Sequence, residues 1–169
     1  IILETRFGLD LYVNLRPCKL LDARFCPLKD KTPADVDFTV FRENTEEISK
    51  GIGGIFKKGT PDEVAIQSSI NTRKGVERII RAAYEFADKN GKRRVCMSDK
   101  SNALRYAHDV WQRVWKEVAA EYPGIESRHL YIDVLAMELV RHPEDFEVIV
   151  TSNLFGDIVT DLGAALQGG

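Results

Sequence analysis

The hydrophobic period of this chain switches near residue 72, from two to between three and four, and that switch narrows its folds more than any other feature. Before it, Leu11, Val13 and Leu15 alternate with Tyr12, Asn14 and Arg16. The alternation predicts a strand over 11–15, with Arg16 on its polar face and Pro17 at its edge. Residues 21–36 carry Pro27 and Pro33 and read as a loop, and 37–42 reads as a second strand that leaves Arg42 at its end. Gly51-Ile52-Gly53-Gly54 and Gly59-Thr60-Pro61-Asp62 signal turns around two short strands, 55–57 and 63–69, which form a meander or arm. After the switch, Val76, Ile79, Ile80, Ala83 and Ala87 mark one helix face, with Asn71 or Thr72 as N-cap and Asn90-Gly91 as the close. A strand at 94–98, a helix at 104–121, a strand at 128–132, a helix at 134–141, a strand at 147–151 and a helix from about 154 follow. Such alternation implies an α/β fold with a parallel layer, preceded by an antiparallel arm.

Several function classes drop out on length and charge. The 169 residues suffice for one compact domain, and Lys plus Arg number 24 against 26 Asp plus Glu, a net charge of -2 with no basic stripe. Nucleic acid is therefore not the expected partner. No apolar run approaches the roughly 18 residues of a membrane span. Cys18, Cys26 and Cys96 are odd in number and lack Cys-x-x-Cys spacing, which points to a reducing, cytoplasmic setting. The opening Ile1-Ile2-Leu3-Glu4-Thr5-Arg6 has neither an initiator Met nor the regions of a secretory signal, and Gly169 falls where a helix is leaving, so both ends read as mid-protein.

Asp157 and Asp161 stand four apart in a predicted helix, so their carboxylates share a face and suit Mg²⁺ or Mn²⁺; a solvated acidic face is the plain alternative. The rest of that helix is apolar, and like charges at this spacing repel unless something positive lies between them, for which a cation is the simplest remedy. Lys100 follows a strand in Ser98-Asp99-Lys100-Ser101-Asn102, where α/β strands deliver functional groups, although it also fits an ordinary surface lysine. Arg6, Arg16 and Arg42 come from different elements and carry the planar fork that clamps carboxylates, or are three unrelated surface arginines. Asp133 closes Tyr131-Ile132-Asp133 as a ligand or as the N-cap of the next helix. His108, His129 and His142 have no metal-ligand spacing and read as structural or solvated, while Trp111 and Trp115 read as core or subunit interface.

Five segments together resemble one family. Leu11-Tyr12-Val13-Asn14-Leu15-Arg16-Pro17, Phe41-Arg42-Glu43-Asn44-Thr45-Glu46, Ser98-Asp99-Lys100-Ser101-Asn102, Tyr131-Ile132-Asp133 and Asn153-Leu154-Phe155-Gly156-Asp157-Ile158-Val159-Thr160-Asp161 are similar, in order, to motifs of the metal-dependent β-decarboxylating dehydrogenases. That family includes 3-isopropylmalate, isocitrate, homoisocitrate and tartrate dehydrogenases. The resemblance implies an isopropylmalate dehydrogenase-like fold, with 1–169 as the substrate-binding and dimerisation domain plus edges of the cofactor domain. It further implies that Arg6, Arg16 and Arg42 bind the carboxylates of a 2-hydroxy dicarboxylate and that Asp133, Asp157 and Asp161 hold Mg²⁺ or Mn²⁺. Lys100 is the implied base and Asn102 lies near the nicotinamide of NAD, with NADP not excluded. In the family Lys100 and Asp133 come from the neighbouring subunit, so a homodimer with shared sites is implied.

Ile2 and Leu3 fall where the family reads the substituent on C3, and two aliphatic side chains favour isopropyl over a charged arm. The expected substrate is 3-isopropylmalate, with isocitrate, tartrate or D-malate as alternatives. One position departs: the family's proton-donating tyrosine, seven residues after the motif arginine, is Ser49 here. A serine hydroxyl is shorter and far less acidic than a phenol, so a water held by Ser49 or Lys50 is the expected substitute. The same departure leaves a non-catalytic regulatory or assembly paralogue open.

Overall fold

A computed structural model describes residues 2–169, with side chains from Glu4 onward, so the Ile2 and Leu3 side chains expected to read the substrate lie outside the described residues. The chain runs α1 (Ile2–Gly8), β1 (Val13–Lys19), β2 (Asp37–Glu43), β3 (Gly53–Phe56), β4 (Val64–Gln67), α2 (Arg73–Lys89) and β5 (Arg94–Asp99). It continues with α3 (Asp109–Ala120), β6 (Glu126–Tyr131), α4 (Ile132–Arg141), β7 (Val148–Thr151) and α5 (Asn153–Leu166). Five strands form one sheet in the order β1-β2-β7-β5-β6, parallel except for β1, which pairs antiparallel with β2. β3 and β4 form a separate antiparallel pair, the expected arm.

Helices cover both faces of the sheet. Phe41, Val95, Met97, Val148 and Val150 meet α2 and α3 on one side, and Phe38, Val40, Cys96 and Ile149 meet α4 and α5 on the other. Alternate residues of the same strand thus enter different cores, which is why β7 reads as an unbroken Val148-Ile149-Val150. Trp111 and Trp115 both belong to the α2/α3 side, where Trp111 donates to Asn71 Oδ1 at 2.8 Å and Trp115 to the Tyr84 hydroxyl at 3.1 Å.

Several expectations need correction. β1 runs through Pro17 to Lys19, which an edge strand tolerates because the missing N–H leaves no gap in a central ladder. Its polar side is the inward one: Asn14, Arg16 and Cys18 turn toward α5 or the strand end, while Leu11 and Leu15 are both 47% exposed. The helix predicted from residue 104 begins at Asp109, because Lys100 C=O accepts from both Ala103 and Leu104 N–H and the segment continues as turns. Gly53 and Gly54 lie in β3 rather than in a turn. Tyr131, not Asp133, is the N-cap of α4, and α1 had no signal in the pattern of apolar residues.

At the period switch itself, Thr72 caps α2: its Oγ1 accepts from Gly75 N–H at 3.0 Å and donates to Glu46 Oε1 at 2.5 Å. Thr72→Ala removes the cap and leaves the Glu46 carboxylate with fewer donors. The expected cost is about 1–2 kcal/mol in urea denaturation, with Thr72→Ser recovering most of it.

Candidate active site

Parallel strands place their carboxyl ends at one edge. In register, Arg42 of β2 lies beside Thr151 of β7, Thr151 beside Ser98 of β5, and Ser98 beside Leu130 of β6. The residues that follow each strand therefore share the edge where α/β folds bind ligands.

Arg42 organises one half. Its guanidinium is buried, donates to Asn153 Oδ1 at 3.3 Å through Nε and 2.7 Å through Nη2, and pairs through Nη1 with Asp157. Arg16 reaches the same carboxylate, with Nη2 3.6 Å from Asp157 Oδ1, and is held by Thr160 Oγ1 at 2.9 Å and Asn14 Oδ1 at 3.1 Å. Burial pulls Arg42 below its ordinary pKa, opposed by the Asp157 charge and assisted by the positive charges of Arg16 and Arg6. The three expected arginines thus converge electrostatically, with Arg6 in the last turn of α1. Only a glycine fits beneath them: a Cβ on Gly156 would lie 2.5 Å from Arg42 Cγ and 2.7 Å from its Cβ. The positive partners of Asp157 are these guanidiniums, while Asp161, one turn on, is exposed.

Lys100 and Asp133 form the other half. Lys100 Nζ pairs with Asp133 Oδ1 and lies 5.9 Å from the centre of the Tyr131 ring. The hydrogen bond from Lys100 holds the Asp133 carboxyl below its usual range. Asn102 is exposed in the turn that follows. The ends of β5 and β6 lie two and three strands from β2, about 10 and 14 Å at normal spacing. Among the described residues no three His, Cys, Asp or Glu side chains gather around one point, so Asp133 does not join Asp157 and Asp161 within one copy.

Between the halves lies a buried polar layer that the sequence reading did not single out. Asp99 is fully buried; burial pushes its carboxyl up, but hydrogen bonds from His129, Gln112 and the Ser101 N–H outweigh this and hold it below the ordinary value. Glu43 accepts from Thr45 N–H at 2.8 Å, Thr45 Oγ1 at 2.6 Å and Glu46 N–H at 2.8 Å, shaping the turn after β2. Glu47 has φ +67, is buried, and accepts from Ser152 Oγ at 2.9 Å and from Leu154 N–H, serving α5 in place of its own N-cap side chain. Burial raises its pKa, with those two donors pulling the other way. The available signal was the run Glu43-Asn44-Thr45-Glu46-Glu47, five polar residues directly after an apolar strand. Ser49 lies half-buried in the short helix that follows, and Lys50 stands with Nζ 4.8 Å from the Phe7 ring centre. Burial pushes the Cys18 and Cys96 thiols up to about 11, away from the range of a nucleophile.

Known proteins resemble this chain along its whole length. The chain is 47% identical over 169 residues to a 3-isopropylmalate dehydrogenase of Thermobifida fusca and 46% identical to one of Clavibacter sepedonicus, covering all of this chain and 48% and 47% of those proteins. It thus spans about half the length of the curated relatives it matches. Among solved structures, an isocitrate dehydrogenase from Methylococcus capsulatus superposes with a TM-score of 0.88 at 35% identity, covering 99% of this chain and 48% of that one. The TT0538 protein from Thermus thermophilus gives 0.89 at 37% identity, covering 99% and 32%. The model of the isocitrate/isopropylmalate dehydrogenase family matches residues 2–169, and the chain belongs to that family.

Proposed function

We propose that this chain is the substrate-binding and dimerisation part of an NAD-linked, Mg²⁺- or Mn²⁺-dependent enzyme that oxidatively decarboxylates a 3-substituted malate, with 3-isopropylmalate as the substrate. The observation that carries the reading is the convergence of Arg16 and Arg42 on Asp157 at the carboxyl edge of the sheet, with the charge of Arg6 added. Two forked cations around one carboxylate form a receptor for a dicarboxylate, and Asp157 occupies it from within. The names of the relatives favour 3-isopropylmalate over isocitrate, tartrate or D-malate. The relatives do not discriminate NAD from NADP. Three free cysteines suit a reducing, cytoplasmic setting.

The donor set fits a hard divalent cation, because Asp157, Asp161 and Asp133 offer only carboxylate oxygens. Since Asp133 stands apart from the other two in one copy, the reading requires two copies, with Lys100 and Asp133 of one completing the site of the other. Exposed Met137 and Val140 on α4, and Leu154 and Ile158 on α5, give that partner an apolar surface, as do Ile55, Phe56, Val64 and Ile66 on the arm. A divalent cation held by these carboxylates would supply Lewis acidity toward the substrate hydroxyl and toward the electrons of the breaking C–C bond. Arg6, Arg16 and Arg42 would orient the carboxylates, Lys100 would take the hydroxyl proton, and Asn102 would lie beside the nicotinamide, which would supply the hydride acceptor. Ser49 or Lys50 holds the water that protonates the enolate.

Ser49 is also the observation that favours a second reading, a regulatory or assembly subunit whose arginine pocket binds without turnover. Three measurements on the full-length protein separate the two. Lys100→Ala should lower kcat by at least about 100-fold while calorimetry still detects substrate binding; a protein with no activity to lose supports the regulatory reading. Ser49→Tyr should change kcat by less than about tenfold, and a rise of 100-fold or more would show that the acid had been lost. Ile158→Glu should shift sedimentation from dimer to monomer and abolish turnover with it, because each site needs both copies.

A further inference from the structure

The Lys100 turn and the start of α5 leave the sheet from neighbouring strands, β5 and β7, and beyond Ser98 and Thr151 the ladder no longer fixes their spacing. Something else must. His108 is fully buried although it lies at the end of an exposed turn, and it begins α3 without a side-chain cap because its ring points inward. Its Nδ1 accepts from the Lys100 N–H at 3.1 Å, which leaves the proton of the neutral ring on Nε2. That Nε2 is buried with no hydrogen-bond partner, and Glu47 Oε1 lies 4.0 Å away. The Glu47 carboxylate is in turn fastened to α5 by Ser152 Oγ and Leu154 N–H, and the His108 ring meets Phe155 edge-on at 5.6 Å.

We propose that His108 and Glu47 are a positioning pair whose Nε2–H donates to Oε1 when the 4.0 Å gap closes, joining the turn that carries Lys100 to the helix that carries Asp157 and Asp161. A buried donor without a partner gains from closing on a facing carboxylate oxygen to normal hydrogen-bond length, about 2.9 Å, and Glu47 Oε1 can accept a second bond beside that from Ser152. The role rests on the proposed dehydrogenase reading: Lys100 serves the partner copy's site and α5 serves its own, so the pair aligns the two segments across which the dimer shares its chemistry. Neither residue touches substrate. Its effect runs through the Lys100 backbone.

Gln and Phe at position 108 test this in the full-length protein. A glutamine amide can accept from Lys100 N–H and donate to Glu47, whereas Phe keeps the ring and does neither. Hydrogen exchange of the Lys100 amide should accelerate at least tenfold in His108→Phe and stay within threefold of the parent in His108→Gln, with the amides of Ile79 and Ile80 in α2 as a control for global loosening. The ring ¹⁵N shifts of His108 in the parent should report a bare Nδ1 and a protonated Nε2. With 3-isopropylmalate, His108→Phe should lower kcat at least tenfold with KM within threefold, and His108→Gln should restore it. Unchanged exchange at Lys100 in His108→Phe overturns the proposal, as does equal acceleration in the Phe and Gln variants. If the parent protein shows no dehydrogenase turnover, the proposed function fails, but the exchange and ring shifts still decide whether the pair exists.

Discussion

A guanidinium buried where a strand meets a helix has to be paired on every side, and Arg42 meets that demand with Asn153 and Asp157, both from α5. The requirement fixes much else. α5 must lie close enough to β2 for Asn153 to reach two of the guanidinium nitrogens, which excludes a Cβ at Gly156. Seven residues on, the same helix face presents Gly163, where a Cβ would meet Cys18 Sγ at 2.5 Å. The two glycines lie two turns apart on one stripe, so the helix rests on β2 and β1 along its length. Close packing, charge pairing and the position of Asp157 are therefore one solution to the cost of burying Arg42.

The strand-and-helix alternation was legible because core strands and amphipathic helices differ in period, and β2, α2, β5 and β7 fall close to where that period places them. What the period could not show was which face of β1 points inward. Leu15 outside and Arg16 inside reverse the usual assignment, since the receptor for Arg16 is Thr160 and Asp157 on α5, residues 144 and 141 positions away in sequence. Residues 104–108 escape the pattern for another reason: Leu104, Tyr106 and Ala107 look compatible with a helix, but the Asp99 and His108 side chains accept from the Ser101 and Lys100 amides and hold the segment as turns, which apolar periodicity does not register.

The site divides in the same way. The placement of Lys100, Asp133, Asp157 and Arg42 at the carboxyl edge was readable because the strand pattern puts them at strand ends or at the start of the helices that follow. The layer beneath them was not, since Glu43, Glu46, Glu47 and Asp99 resemble solvent-facing acids until the fold buries them. Each is then satisfied locally: Glu43 by its own turn, Glu46 by the cap residue of α2, Glu47 by the start of α5, and Asp99 by His129 and Gln112. Acids in these positions supply acceptors to backbone and side-chain donors at the loops and helix starts.

Each half of the edge carries its own ion pairs: Asp157 is shared by two arginines, and Lys100 is matched by Asp133. β7 stands between them, and its end contributes only Thr151, Ser152 and Asn153, all buried and uncharged. In the proposed reaction both internal pairs would exchange partners: the substrate carboxylates would displace Asp157 from the arginines, and Lys100 would leave Asp133 and give up its own proton before acting as a base. Were Asp157 and the partner copy's Asp133 to hold a divalent cation, both exchanges would be favoured at once, because each pair would lose the carboxylate that holds its basic group. On that argument binding of metal, binding of substrate and freeing of the base are coupled by charge alone, and the coupling depends on the separation that the sheet order imposes within each copy.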